Sequence, residues 1–245
     1  MELDPTRLEA LCLDLDDTIL DSEGSVRAAW ELVADRLVEA HPELARSAVL
    51  AAIESATDWF WADDERHRRG RLDLPWARRE VVGRALETLQ RRPDAALADA
   101  VGRAYTELRE RELWLFEGAL DVLARLRARV PRMALVTNGA AETQRAKIER
   151  FDLARFFDHV QIEGEFGAGK PDALVYRHVL GRLDAAPHAS LMVGDNFECD
   201  VLGPLAVGMH AAWIDAAGRG APAVPAPRPH WTLRSLHELA ARLGV

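Results

Sequence analysis

The segment 8-LEALCLDLDDT-18 sets an apolar run, Leu8 to Leu13, against the carboxylates Asp14, Asp16 and Asp17 and then Thr18. A run of this length and composition reads as a buried strand. From about residue 25 to residue 112, however, apolar residues recur at helical spacing, as in Val26, Trp30, Val33 and Leu37, with Ser25 placed as an N-cap. Further helices are expected over 42–57, 75–92 and 93–113, with Pro42, Pro75 and Pro93 near their starts, where a missing N–H costs little. The opening strand therefore has no partner nearby in sequence, and its neighbours must come later.

They come after Leu113. The short apolar runs 132-RMALVTNG-139, 156-FFDHVQIEG-164, 189-ASLMVGDN-196 and 209-MHAAWID-215 alternate with helical stretches such as 118-GALDVLARLRARV-130 and 141-AETQRAKIERF-151. Strand alternating with helix predicts an α/β domain with a doubly wound parallel sheet. The expected organisation is residues 1–22 and 113–245 as one Rossmann-like core, with 23–112 inserted as a helical domain. Residues 216–230, rich in Ala, Pro and Gly, read as a surface loop before a last helix at 233–243.

The chain has 245 residues, 49% hydrophobic, and a formal net charge of −9. That charge argues against nucleic acid polymers and anionic membranes as partners, since both select basic surfaces. No apolar stretch approaches a bilayer span, and 1-MELDPTRLEA-10 has neither the basic nor the apolar part of a signal peptide, so a cytoplasmic location is expected. Two cysteines, Cys12 and Cys199, are too few for a disulfide framework and read as reduced core thiols.

In open α/β sheets ligands collect at the carboxyl ends of the strands. Those ends carry Asp14-Leu15-Asp16-Asp17-Thr18, Thr137-Asn138-Gly139 and Gly194-Asp195-Asn196, with Asp200 five residues on and Gly169-Lys170-Pro171-Asp172 before a helix. Two carboxylates about 5 Å apart repel by roughly 3 kcal/mol at an effective dielectric near 20. A divalent cation, a lysine or a raised pKa would offset this, and Asp14, Asp195 and Lys170 could use all three. The plainer alternative is that these aspartates are turn residues and helix caps. A calcium-binding EF-hand loop fails, because Ile19 stands where the sharp turn needs Gly and Ser25 where a bidentate Glu belongs. A nucleotide-binding P-loop at 164-GEFGAGKP-171 fails at Pro171, which has neither hydroxyl nor N–H.

Taken together, "DLDDT", "TNG", "GKPD" and "GDNFECD", in this order, resemble the four motifs of the haloacid dehalogenase (HAD) superfamily. The helical insertion after the first motif resembles that superfamily's C1 cap, and 135-LVTNGAAETQRAKIE-149 and 192-MVGDNFECDVLG-203 look closest to its N-acylneuraminate-9-phosphatase and pyrimidine nucleotidase-like phosphatases. The resemblance implies Asp14 as a nucleophile that forms an aspartyl-phosphate and Asp16 as general acid and base. It implies Thr137 and the backbone of Asn138 and Gly139 as phosphoryl-binding groups, and Lys170 as the neutralising cation. It also implies Mg²⁺ held by Asp14, Asp195 and the backbone carbonyl of Asp16, with Asp200 orienting Lys170 or the metal shell. The dehalogenases of the superfamily lack an aspartate two residues after the nucleophile, so Asp16 points to phosphate chemistry. Pro204, where the fourth motif commonly has Ala, and Ala173, where a proline often follows, depart from the usual pattern.

The expected activity is hydrolysis of small-molecule phosphomonoesters. A phosphomutase and a metabolite-binding protein without turnover stay open as alternatives. Trp61, Arg66, Arg69 and Arg78 of the insertion are candidates for gripping the leaving group, and helix packing or solvated charge is the competing reading of each.

Overall fold

The computed structural model describes residues 3–92, 94–220 and 227–245, and the chain divides into two compact units, Met1–Asp21 with Leu115–Val245, and Ser22–Trp114. The expected helix start at Pro93 and the middle of the 216–230 loop, residues 221–226, lie outside the described residues.

The first unit is built on β1 (Ala10–Leu13), whose residues are buried on both faces, as a central strand of a parallel sheet requires. Two-residue strands β2 (Leu20–Asp21) and β3 (Trp114–Leu115) mark where the chain leaves and re-enters the unit. The sheet then gains β4 (Arg132–Thr137), β5 (His159–Ile162), β6 (Ser190–Gly194), β7 (His210–Ile214) and β8 (Trp231–Leu233). All pairings are parallel, in the order β5-β4-β1-β6-β7-β8, with Ala10 in register with both Arg132 and Ser190. The chain winds outward from β1 through β4 to β5, then restarts beside β1 at β6 and winds the other way. The fold is thus the doubly wound α/β arrangement, and its switch point, where such sheets bind ligands, falls between β1 and β6.

Helices of this unit are α6 (Ala119–Arg129), α7 (Ala141–Arg150), α8 (Glu163–Phe166), α9 (Ala173–Leu183), α10 (Gly203–Ala206) and α11 (Leu236–Arg242). Val175, Tyr176, Val179, Leu180 and Leu183 of α9 cluster with Ala10, Cys12, Ala134, Val136 and Met192, which covers one face of the sheet. The last helix was expected to include Leu233, which instead pairs with Ile214 as the end of β8. A three-residue strand is too short to show a period of two.

The second unit contains α1 (Glu23–Ala40), α2 (Arg46–Trp61), α3 (Asp64–Leu72), α4 (Leu74–Thr88) and α5 (Ala95–Arg111) around a core that includes Val33, Leu37, Ile53, Phe60, Val82, Leu86 and Tyr105. Ser25 is not an N-cap: it lies inside α1, and its Oγ donates to the carbonyl of Ser22, which holds the cap position. Pro75 lies in the first turn of α4, as expected, whereas α2 starts at Arg46 and not at Pro42, and carboxylates cap α3, α4 and α5. Asp63, Asp73 and Asp94 accept from the backbone N–H of Arg66, Trp76 and Leu97, so Asp63 opens α3, which the apolar periodicity did not separate. The helix expected to run to Arg92 ends at Thr88, before Gln90 turns to a φ of 57°. Among the described residues no helix is long and apolar enough to cross a membrane.

Candidate active site at the carboxyl edge of the sheet

Asp14 directly follows β1, its N–H donating to Val193 of β6 at 2.9 Å. Its buried carboxylate accepts from Lys170 Nζ at 2.7 Å through Oδ1, and the same ammonium donates to Asp200 Oδ1 at 2.6 Å. Lys170 is carried to this point by Asn138, which caps the β4 end and binds the lysine backbone from both sides: Nδ2 donates to its carbonyl and Oδ1 accepts from its N–H. Asp200 is turned inward by a π-helical stretch, Phe197–Leu202, and its second oxygen accepts from Asn196 N–H. Tyr176 steadies this stretch by donating to the carbonyl of Cys199. Such π-turns commonly occur at functional sites. Gly194 lets these groups meet, because a Cβ there would lie 2.2 Å from Asp200 Oδ2 and 2.9 Å from the Asp14 Cβ.

Asp16, two residues further, is reached by side chains that the sequence reading did not single out. Lys147 Nζ sits 2.7 Å from both of its carboxylate oxygens, and Gln144 Nε2 donates to Asp16 Oδ2 at 3.0 Å and to Thr137 Oγ1 at 2.6 Å. Gln144 and Lys147 are three apart on α7, hence on one helix face, which was the available signal. Asp17 turns the chain with a φ of 55°. Gly139, expected to offer its amide to a phosphoryl group, donates instead to Glu163 Oε2 at 3.0 Å. The buried Glu163, also missed in the sequence, ties β4 to β5, so the Gly139 amide is part of the scaffold.

Asp14, Asp195 and Asp200 can each offer an oxygen such that the three lie within 4.8 Å of one another. Burial, opposed by Lys170 and reinforced by Asp200, pushes the Asp14 carboxyl up to about 7. Burial, then Asp14 and Asp200, pushes Asp195 up to about 8. For Lys170 burial alone would weaken the proton's hold, but Asp14 and Asp200 outweigh it and the ammonium is held above the ordinary lysine range. One ammonium among three carboxylates leaves negative charge in excess, and the donors are all hard oxygen. This set fits a divalent cation of the Mg²⁺ type, held by Asp14 and Asp195, since Asp200 already spends both oxygens on Lys170 and Asn196.

Both cysteines are free. Cys12 is in the core, whereas Cys199 is only partly buried, its Sγ 3.4 Å from the Lys170 carbonyl. Burial pushes each thiol up to about 12, far from the thiolate form. In the helical unit, Trp61 packs edge-on against Phe60 and His67. Arg66 lies over the Trp59 ring at 4.1 Å and donates to the Trp59 carbonyl, and Arg69 lies over Trp76 at 3.9 Å. These contacts are those of helix packing. Arg78 sits apart from them, buried between α4 and α5.

The sequence model of the haloacid dehalogenase-like hydrolases matches residues 8–208. A phosphoserine phosphatase of Thermus thermophilus is 33% identical over 95% of this chain and 98% of its own length. The N-acylneuraminate-9-phosphatase of Rattus norvegicus is 26% identical over 97% and 94%. The pyrimidine 5'-nucleotidase YjjG of Escherichia coli is 29% identical over 74% and 76%. Among solved structures, the magnesium-bound HAD-hydrolase YfnB of Bacillus subtilis superposes with a TM-score of 0.74 over 98% of this chain and all of that one, at 23% identity, a likeness of fold.

Proposed function

The chain belongs to the haloacid dehalogenase-like hydrolases, and on that premise we propose that it is a Mg²⁺-dependent phosphatase of small phosphomonoesters that works through an aspartyl-phosphate. The observation that carries the reading is the buried Asp14 carboxylate held at 2.7 Å by Lys170 at the switch point of the sheet. A carboxylate needs such a neighbour to approach a phosphate dianion at all. The relatives described above support the phosphate chemistry, being named for phosphoserine, an N-acylneuraminate 9-phosphate and pyrimidine 5'-nucleotides.

In this reading Asp14 attacks phosphorus through one oxygen, forming the O–P bond as the ester O–P bond breaks, and Asp16 delivers a proton to the departing oxygen. Asp16 then takes a proton from water as that water attacks the phosphoaspartate, which releases inorganic phosphate and restores Asp14. Lys170 spreads the charge that accumulates between nucleophile and phosphoryl oxygens, and Asp200 keeps it aimed there. The Asn138 backbone serves as a phosphoryl contact, and Thr137 Oγ1 joins it by turning its hydrogen away from the Asn138 carbonyl, to which it donates at 3.3 Å. Lys147 and Gln144 hold Asp16 in place between the two half-reactions. Asp14 and Asp195, with the Asp16 carbonyl, would hold Mg²⁺, which would supply further neutralisation of the phosphoryl charge. The helical unit is the cap that selects the leaving group, and the setting is cytoplasmic, in keeping with two unpaired thiols.

Phosphate release from p-nitrophenyl phosphate, with Mg²⁺ or EDTA and beside Asp14→Asn, tests the proposal. Metal-dependent release lost in the variant is expected, by at least about 10³-fold. Release that survives Asp14→Asn removes the aspartyl-phosphate from the mechanism.

A further inference from the structure

Three of the four carboxylates assigned to the site are held by donors. Asp14 and Asp200 share Lys170, Asp200 also accepts from the Asn196 N–H, and Asp16 has Lys147 and Gln144. Among the described residues the Asp195 carboxylate accepts no hydrogen bond. Its aim must therefore come from the backbone that carries it. That backbone has just left the sheet: β6 ends at Gly194, in register with Trp213 of β7, and Asp195 is the next residue.

Where the ladder stops, a side chain takes over. The Trp213 indole Nε1–H donates to the Asp195 carbonyl at 2.7 Å. The N–H at the other end of the same peptide unit, that of Asn196, donates to Asp200 Oδ2 at 3.0 Å. The plane of this peptide is thus gripped at both ends, and with Gly194 fixed in the ladder the direction of the Asp195 side chain is set from both sides. Without the indole, the plane would hang on the Asp200 bond alone, and its carbonyl would have to turn to find another donor. The indole is itself immobile. Trp213 is buried, its ring meets Phe197 edge-on at 5.2 Å, and it clusters with Val201 of the π-helical stretch that carries Asp200. We infer that Trp213 is the positioning residue of Asp195, its indole N–H setting the direction from which that carboxylate meets a divalent cation. The inference rests on the metal part of the proposed function and extends it to a residue that acts only through Asp195.

Calorimetric titration of Mg²⁺ and of Mn²⁺ into the metal-free protein, without substrate, tests this. Trp213→Phe removes the N–H and keeps an aromatic ring beside Phe197, whereas Phe197→Leu removes the edge contact and keeps the N–H. Cation binding should weaken about tenfold in Trp213→Phe, the low end for groups that orient metal ligands from outside, and by less than about threefold in Phe197→Leu. The Mg²⁺ concentration for half-maximal phosphate release should rise in the same proportion in Trp213→Phe, with kcat recovered at saturating Mg²⁺ to within about threefold of the parent. Melting in EDTA reports the packing cost of each variant separately. If Trp213→Phe does not fold, Trp213 is replaced by 3-benzothienylalanine, which puts sulfur in place of the N–H in a ring of the same shape. Unchanged cation affinity without the N–H, or an equal loss in Phe197→Leu, makes Trp213 a packing residue and overturns the inference. Cation binding that depends on Trp213, with no release from any phosphomonoester, would sink the phosphatase reading and leave the role of Trp213 standing. A parent that binds neither cation would remove the metal site and this inference with it.

Discussion

Replacing Lys170 by methionine tests the electrostatics of the site most directly, because its ammonium is the counter-charge to both Asp14 and Asp200. Methionine keeps the length of the side chain and removes the charge. The three carboxylates it leaves can approach within 4.8 Å of one another, and at an effective dielectric near 20 each such pair repels by about 3–4 kcal/mol. Removing one partner of a buried pair generally costs about 3–5 kcal/mol, and that is the loss of stability expected in EDTA at pH 8.5. With a urea slope of about 2–3 kcal/mol/M, the midpoint should fall by about 1–2.5 M. The sign of the pH dependence follows from the raised acids. Asp14 and Asp195 hold their protons to about 7 and about 8 in the folded state against 3.8 as the ordinary value, so folding weakens as pH rises through that window. The deficit of Lys170→Met should therefore open between pH 5 and pH 8.5. Urea denaturation of both proteins at these two pH values measures it. A loss under about 1 kcal/mol, or one that is equal at both, would refute the reasoning. Activity should fall in the variant by about 10²-fold or more, in the range of losing one preorganised stabiliser.

The same excess of carboxylate charge predicts how metal acts on stability. At a hundredfold excess over its dissociation constant, Mg²⁺ should raise the melting temperature by about 5–10 °C at pH 8.5, and by clearly less at pH 5.5, where Asp14 and Asp195 hold protons in the metal's place. An equal rise at both pH values would place the metal elsewhere. Gly194→Ala forces a methyl into Asp200 and Asp14, so it should lower kcat/KM more than tenfold and cost about 1–3 kcal/mol in a melting comparison. Gly83→Ala, on α4 with nothing within 4 Å of the added carbon, should be neutral or stabilising in the same assay.

The candidate site residues that were legible in the sequence share one property. Asp14, Thr137, Lys170, Asp195 and Asp200 each sit at or just beyond the end of an apolar run or at a helix start, and the order of those runs implies a parallel sheet whose ends converge. Periodicity carries that much, because burial on both faces leaves its mark on every residue of a central strand. Element boundaries were less legible wherever a side chain decided them, as when Asp63 opened a helix that no apolar pattern separated or Leu233 joined a strand too short to show a pattern.

What the folded chain alone decided is pairing. Lys147 meets Asp16 across 131 residues, Glu163 takes the Gly139 amide across 24, and Arg78 donates to Thr106 across 28. No local pattern encodes such partners. Charge compensation depends on distance in space and on exclusion of water, and both exist only after the strands have stacked side by side and the helices have closed over them.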